Sequence, residues 1–124
     1  MNSTGAVRPA ARHAALAGVL LSVGLNAGGQ VLFKAARLAH PDASLPMLFL
    51  YPQTWLGFLV YGLSAVCWLW VLTRAQLSFA YPLLALTFPL VVILSSLLFA
   101  EVVTPLRWAG VLVIVVGVSL LART

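Results

Sequence analysis

Four apolar runs, each near the length of a membrane span and almost free of charge, decide what this chain can fold into. They lie at about residues 14–34, 55–73, 77–100 and 106–122. A helix needs ~20 mostly apolar residues to cross the hydrocarbon core of a bilayer. The alternative, buried helices of a soluble bundle, requires polar outer faces, and these runs have almost none. Composition agrees: 63% of the 124 residues are hydrophobic and 7% are charged, where a soluble domain carries ~25% charged residues. The expected fold is all-α, with four transmembrane helices at about 14–38, 54–73, 77–100 and 105–122. They form one domain, 13–123, behind a flexible N-terminal tail, 1–12.

Local signals set the boundaries. Thr104-Pro105 places a capping hydroxyl before a proline at the first helical position, and Thr54 is expected to cap the second helix in the same way. Pro82 falls in the first turns of the third helix. Pro89 falls inside it and is expected to kink it. Residues 39–53 hold three prolines and an apolar patch, Met47 to Tyr51, too short to span; they read as a loop on the membrane interface. The first apolar run is too long for a signal peptide and lacks a clear small-residue cleavage site before Lys34 and Arg37. Cys67, the single cysteine, reads as a small buried hydrophobe and excludes an intrachain disulfide.

The formal charge of +5 would suggest nucleic acid in a soluble protein. Here the basic residues sit at the ends of apolar runs, which points to lipid head groups and topology and to no nucleic-acid partner. With four spans both termini share a side. That side holds Arg8, Arg12, Arg74 and Arg123; the other holds Lys34, Arg37 and Arg107. The small excess favours cytoplasmic termini.

Function has few places to reside. Ser22, Asn26, Gln30 and Lys34 recur every four residues of the first helix. Each step drifts by ~40°, so they read as one polar stripe that takes in Arg37. Such a track ending in two cations suits a phosphate and a hydroxyl-rich head group. The plain alternative is hydrogen bonding between helices, with Lys34 and Arg37 reaching to the interface. Gly24 and Gly28 lie on the opposite face. Gly110 and Gly117 share a face of the fourth helix and read as a dimer interface, since four helices enclose little space. Glu101 reads either as a coupling or head-group contact or as a loop charge paired with Arg107. Trp55, Trp68, Trp70 and Trp108 lie towards span ends, as aromatic belts do. No catalytic set, metal-ligand spacing or cofactor-binding loop is present in the sequence, so no enzyme activity and no cofactor is expected.

A four-span chain with a polar first helix and a glycine-bearing fourth resembles the small multidrug resistance family, within the drug/metabolite transporter superfamily. It is more similar still to the subunits of the 4-amino-4-deoxy-arabinose–phosphoundecaprenol flippase, of the EamA-like four-helix type. The resemblance rests on Phe79-Ala80-Tyr81-Pro82-Leu83-Leu84-Ala85-Leu86, on Leu98-Phe99-Ala100-Glu101, and on Pro105-Leu106-Arg107-Trp108-Ala109-Gly110-Val111. Gly29-Gln30 followed by Lys34 adds to it. It covers roughly residues 16–123 and is most specific over 79–117. Drug-exporting relatives carry a membrane-embedded glutamate in the first helix, and here Asn26 stands at that position. The resemblance therefore implies an anionic, phospholipid-like substrate over a lipophilic cation.

What it implies further is a homodimer, or a heterodimer with a paralogous four-helix subunit, in a bacterial inner membrane. The substrate would be a polyprenyl phosphate bearing a sugar, moved for lipid A or envelope modification, with its tail left among the membrane lipids. Lys34 and Arg37, with Arg107 in support, would hold phosphate. Ser22, Asn26 and Gln30 would line the track for sugar hydroxyls. Tyr81 and Glu101 are carried over with the motif. The competing readings are a proton-coupled exporter of small cations, which needs a membrane acid, and a non-transporting scaffold for a glycosyltransferase.

Overall fold

The computed structural model describes residues 9–124, with side chains from Arg12 onward. Residues 1–8 of the expected tail lie outside that range. Helix α1 runs Pro9–Ala39, α2 is a single turn at Leu45–Leu48, and α3 runs Pro52–Leu72. The third span is built from α4 (Leu77–Leu83), one 3-10 turn (Leu84–Leu86) and α5 (Thr87–Leu98), and α6 runs Pro105–Ala122. Among the described residues, four segments are long and apolar enough to cross a membrane: Arg12–Ala39, Pro52–Leu72, Leu77–Leu98 and Pro105–Ala122. The fold is the expected four-helix membrane protein.

Sequence chemistry accounts for where each helix starts and stops. Pro52 and Pro105 occupy first-turn positions, where a missing N–H loses nothing. Thr104 caps α6 as expected, its hydroxyl accepting the Arg107 backbone N–H at 3.3 Å. Thr104→Ala should therefore lower stability by about 0.5–1 kcal/mol, read from chemical unfolding in detergent followed by helical circular dichroism. Thr54 does not cap α3. Pro52 starts that helix, Tyr51 takes the cap position, and Thr54 is buried inside the first turn. Pro89, expected to kink the third span, cannot donate to the Ala85 carbonyl, and its ring crowds that group; a 3-10 turn, Leu84–Leu86, lies just before it and just after the helix that holds Pro82. The third span stops at Leu98, two residues before the expected end, because Ala100 takes a left-handed conformation, φ 52°.

Packing centres on α1 and α3, which run antiparallel in contact along their length. Small residues set their separation at intervals of seven, Ala15, Ser22, Gly29 and Ala36 on α1 and Gly57 and Ser64 on α3, with Val71 next in the same register; all are buried. Gly18 meets Val71, the Ser22 hydroxyl donates to the Ser64 carbonyl at 3.4 Å, and Gly29 meets Gly57. Cys67 is half-buried in the same seam, its sulfur 3.3 Å from the Gly18 carbonyl oxygen. A period of seven keeps small residues facing a partner helix, and small residues let membrane helices approach closely.

The apolar core sits towards the end that holds Arg12 and the C-terminus. Val19, Val23, Val71, Ala80, Leu83 and Val118 are buried there, with Trp68, Phe79 and Leu90 packed against them. At that end the Arg12 guanidinium donates to the Ala122 and Thr124 carbonyls and lies over the Phe79 ring. A cation thus meets the negative end of α6.

The opposite end is built differently. Residues 39–53 fold over the start of α3, held by side chains. Arg37 donates to the Ala43 carbonyl at 2.6 Å, His40 stacks on Tyr51, and the Trp55 indole donates to the Phe49 carbonyl. Phe33, Phe49, Trp55 and Phe58 form one aromatic cluster beneath that loop.

Candidate functional site

The expected polar stripe divides. Drift of ~40° per step accumulates to ~120° between Ser22 and Lys34, a third of a turn. Ser22 is accordingly turned into the α1–α3 seam, 1% exposed and bonded to Ser64. Asn26 is half-buried, Gln30 is exposed, and Lys34 is exposed at the end remote from the apolar core. Gln30 and Lys34 are one turn apart on a shared face. This gives a short neutral ladder, Asn26 and Gln30, leading to a cation.

Lys34 meets an acid. Its ammonium lies 3.3 Å from Glu101 Oε1, with side-chain exposures of 44% and 42%. Glu101 thus pairs across to α1 and not with its sequence neighbour Arg107, the partner expected from the loop reading. The placement depends on the strained turn after α5: Ala100 reverses the chain, and the Glu101 backbone N–H bonds back to the Ser95 carbonyl at 3.3 Å. An ion pair this exposed contributes ~0–1 kcal/mol. It joins two elements without fixing them.

The remaining expected residues do not all gather here. Arg37 lies within a turn of Lys34, with part of its guanidinium engaged by the Ala43 carbonyl. Arg107 is exposed in the first turn of α6, six residues after Glu101. Tyr81 lies at the other end of the third span, exposed and edge-on to Trp68 at 6.1 Å between ring centroids. The helix between Tyr81 and Leu98 is roughly 25 Å long at ~1.5 Å per residue, so Tyr81 and Lys34 cannot meet one head group together. Gly110 and Gly117 face open space in the single chain, as does Gly24, while a Cβ on Gly28 would meet Val60.

Two threonines stand apart, Thr87 passed over in the sequence and Thr54 read there as a helix cap. Thr54 and Thr87 each bury a hydroxyl that makes no hydrogen bond among the described residues. Thr87 is the notable one, a polar group in the middle of a span, two residues before Pro89. Its signal is a hydroxyl in the middle of the run 77–100, whose serine hydroxyls, Ser78, Ser95 and Ser96, lie nearer its ends. No group of three or more metal-ligating side chains occurs among the described residues.

Four apolar spans, charges confined to their ends and a half-exposed cation reached by a short polar ladder define a small multi-pass membrane protein laid out as a transporter subunit is. Curated relatives sharpen this. The probable 4-amino-4-deoxy-L-arabinose-phosphoundecaprenol flippase subunit ArnE of Pseudomonas fluorescens (strain Pf0-1) is 35% identical over 107 residues, 85% of this chain and 94% of that one. The protein of the same name from Serratia proteamaculans is 40% identical over 107 residues, 84% of this chain and 90% of that one. The chain belongs to this family of ArnE flippase subunits. A higher identity, 46% over 72 residues, is shared with the Pseudomonas paraeruginosa member, where the match spans 58% of this chain and 63% of the relative. No family model and no solved structure matches the chain.

Proposed function

We propose that this chain is one subunit of a transporter that carries an undecaprenyl-phosphate-linked, aminoarabinose-like sugar across a bacterial inner membrane. The carrying observation is Lys34, a half-exposed cation at the end of the bundle remote from the apolar core, with Gln30 and Asn26 one and two turns deeper on α1. An ammonium is a strong point charge for phosphate. Amide side chains both donate and accept, as sugar hydroxyls require. The prenyl tail stays in lipid while the head group crosses. Arg37 and Arg107 extend the positive field around Lys34. The relatives' names support transport over catalysis and imply a partner subunit. Gly110 and Gly117, seven residues apart on an outward face of α6, are the proposed contact with that partner. The single bundle 13–123 would sit with both termini in the cytoplasm.

Native mass spectrometry on protein released from mild detergent tests this reading. A dimer that retains a polyprenyl phosphate, with excess mass identifying its sugar, is the expected spectrum. Protein that carries only ordinary phospholipids would count against it and favour the scaffold.

A further inference from the structure

We propose that Glu101 holds the phosphate's place on Lys34, so that the Lys34–Glu101 pair is a latch which the incoming lipid phosphate displaces. This deepens the functional reading above and rests on Lys34 being the phosphate-binding cation. Only two acids occur in the whole sequence, Asp42 and Glu101. One of them is set 3.3 Å from the very cation that closes the polar ladder. Its setting is strained: Ala100, with a Cβ, occupies the left-handed region that favours glycine. Non-glycine residues kept there often mark sites where the strain serves a purpose. Here the reversal at Ala100, closed by the Glu101 N–H on the Ser95 carbonyl, turns the acid back towards α1.

The pair suits exchange. Both partners are nearly half exposed, so a competing anion can reach the ammonium from the membrane boundary. A phosphodiester carries one negative charge, as a carboxylate does, so substitution leaves Lys34 paired throughout. Arg107, exposed and six residues on, offers the released carboxylate a second cation. The apolar core lies at the other end of the bundle. Displacing Glu101 therefore frees the α5–α6 connection without disturbing that core. The latch would keep the site closed to weak anions and return it after release.

The test is a titration of wild type and variants with the undecaprenyl phosphodiester of aminoarabinose in mild detergent, read by native mass spectrometry. Glu101→Gln should bind the lipid roughly two- to fivefold tighter, the range of an exposed ion pair. Lys34→Gln should bind it more weakly. In the Lys34→Gln background, Glu101→Gln should change nothing. If Lys34→Gln weakens binding while Glu101→Gln leaves it equal or weaker, the latch is wrong and the phosphate site stands. If Lys34→Gln binds as wild type does, the site reading fails and takes the latch with it. Glu101→Asp retains the charge with one methylene less reach and should tighten binding by a smaller factor; it serves if Glu101→Gln fails to fold. Inorganic phosphate at millimolar concentration should not displace the lipid, and displacement would overturn assignment of the latch to a lipid phosphate.

Discussion

A Gly29→Val substitution is expected to destabilise this protein by about 2–3 kcal/mol, while Gly24→Val, five residues earlier on the same helix, stays close to wild type. The difference lies in what a side chain would meet. A Cβ on Gly29 falls 3.2 Å from the Gly57 carbonyl oxygen and 3.4 Å from the Tyr61 backbone nitrogen. Backbone cannot rotate aside, so α1 and α3 must separate. The opposing Gly57 is equally constrained, since a Cβ there falls 2.8 Å from the Phe33 ring, itself held edge-on against Phe58. Gly24 has nothing within 4 Å. Separation at Gly29 would also stretch the neighbouring Ser22–Ser64 bond, already long at 3.4 Å. Chemical unfolding of both variants in detergent, followed by helical circular dichroism, measures the contrast. Equal effects would mean that the close crossing at Gly29 does not govern stability.

That crossing also marks the limit of what the sequence discloses. The spans can be read from length and apolarity because the bilayer imposes both. An irregularity near Pro89 can be read because a proline's missing donor acts on its own helix. The α1–α3 seam is harder, since alanine, serine and glycine at every seventh position barely stand out within a uniformly apolar run. Gly24 and Gly28 draw attention as a four-residue pair, yet the helices meet closely at Gly18 and Gly29. Thr54 shows two local rules in competition, and Pro52 wins because its ring fixes the backbone at the helix start. The stripe on α1 is sound from one residue to the next and fails over its length, because the drift accumulates. Lys34 and Glu101 are 67 positions apart, and only the packing of α1 beside the third span brings them together. Local chemistry can thus be read from the chain, whereas meetings between spans depend on register and on a single left-handed alanine.

Lys34 carries the second large effect. Lys34→Gln is expected to reduce lipid transport about 10- to 100-fold with the fold intact. A hydrogen bond to a charged group contributes ~1.5–3 kcal/mol, and each ~1.4 kcal/mol is a factor of ten. If Lys34 holds the phosphate as proposed, removing the ammonium deletes the strongest contact on the ladder. It should barely touch stability, because the ion pair it breaks is half exposed and contributes ~0–1 kcal/mol. Lys34→Arg keeps the charge and should keep most of the transport. The measurement uses proteoliposomes holding this subunit, alone or with the proposed paralogous subunit, amine-free phospholipid and the aminoarabinose lipid. A membrane-impermeant amine reagent reports how much sugar has reached the outer leaflet. Full transport by Lys34→Gln would remove Lys34 from the site, and with it the reason to read the ladder of Asn26 and Gln30 as a head-group path. Loss of transport together with loss of helical signal would instead make Lys34 a structural residue, bound to Glu101 to hold the third span against α1.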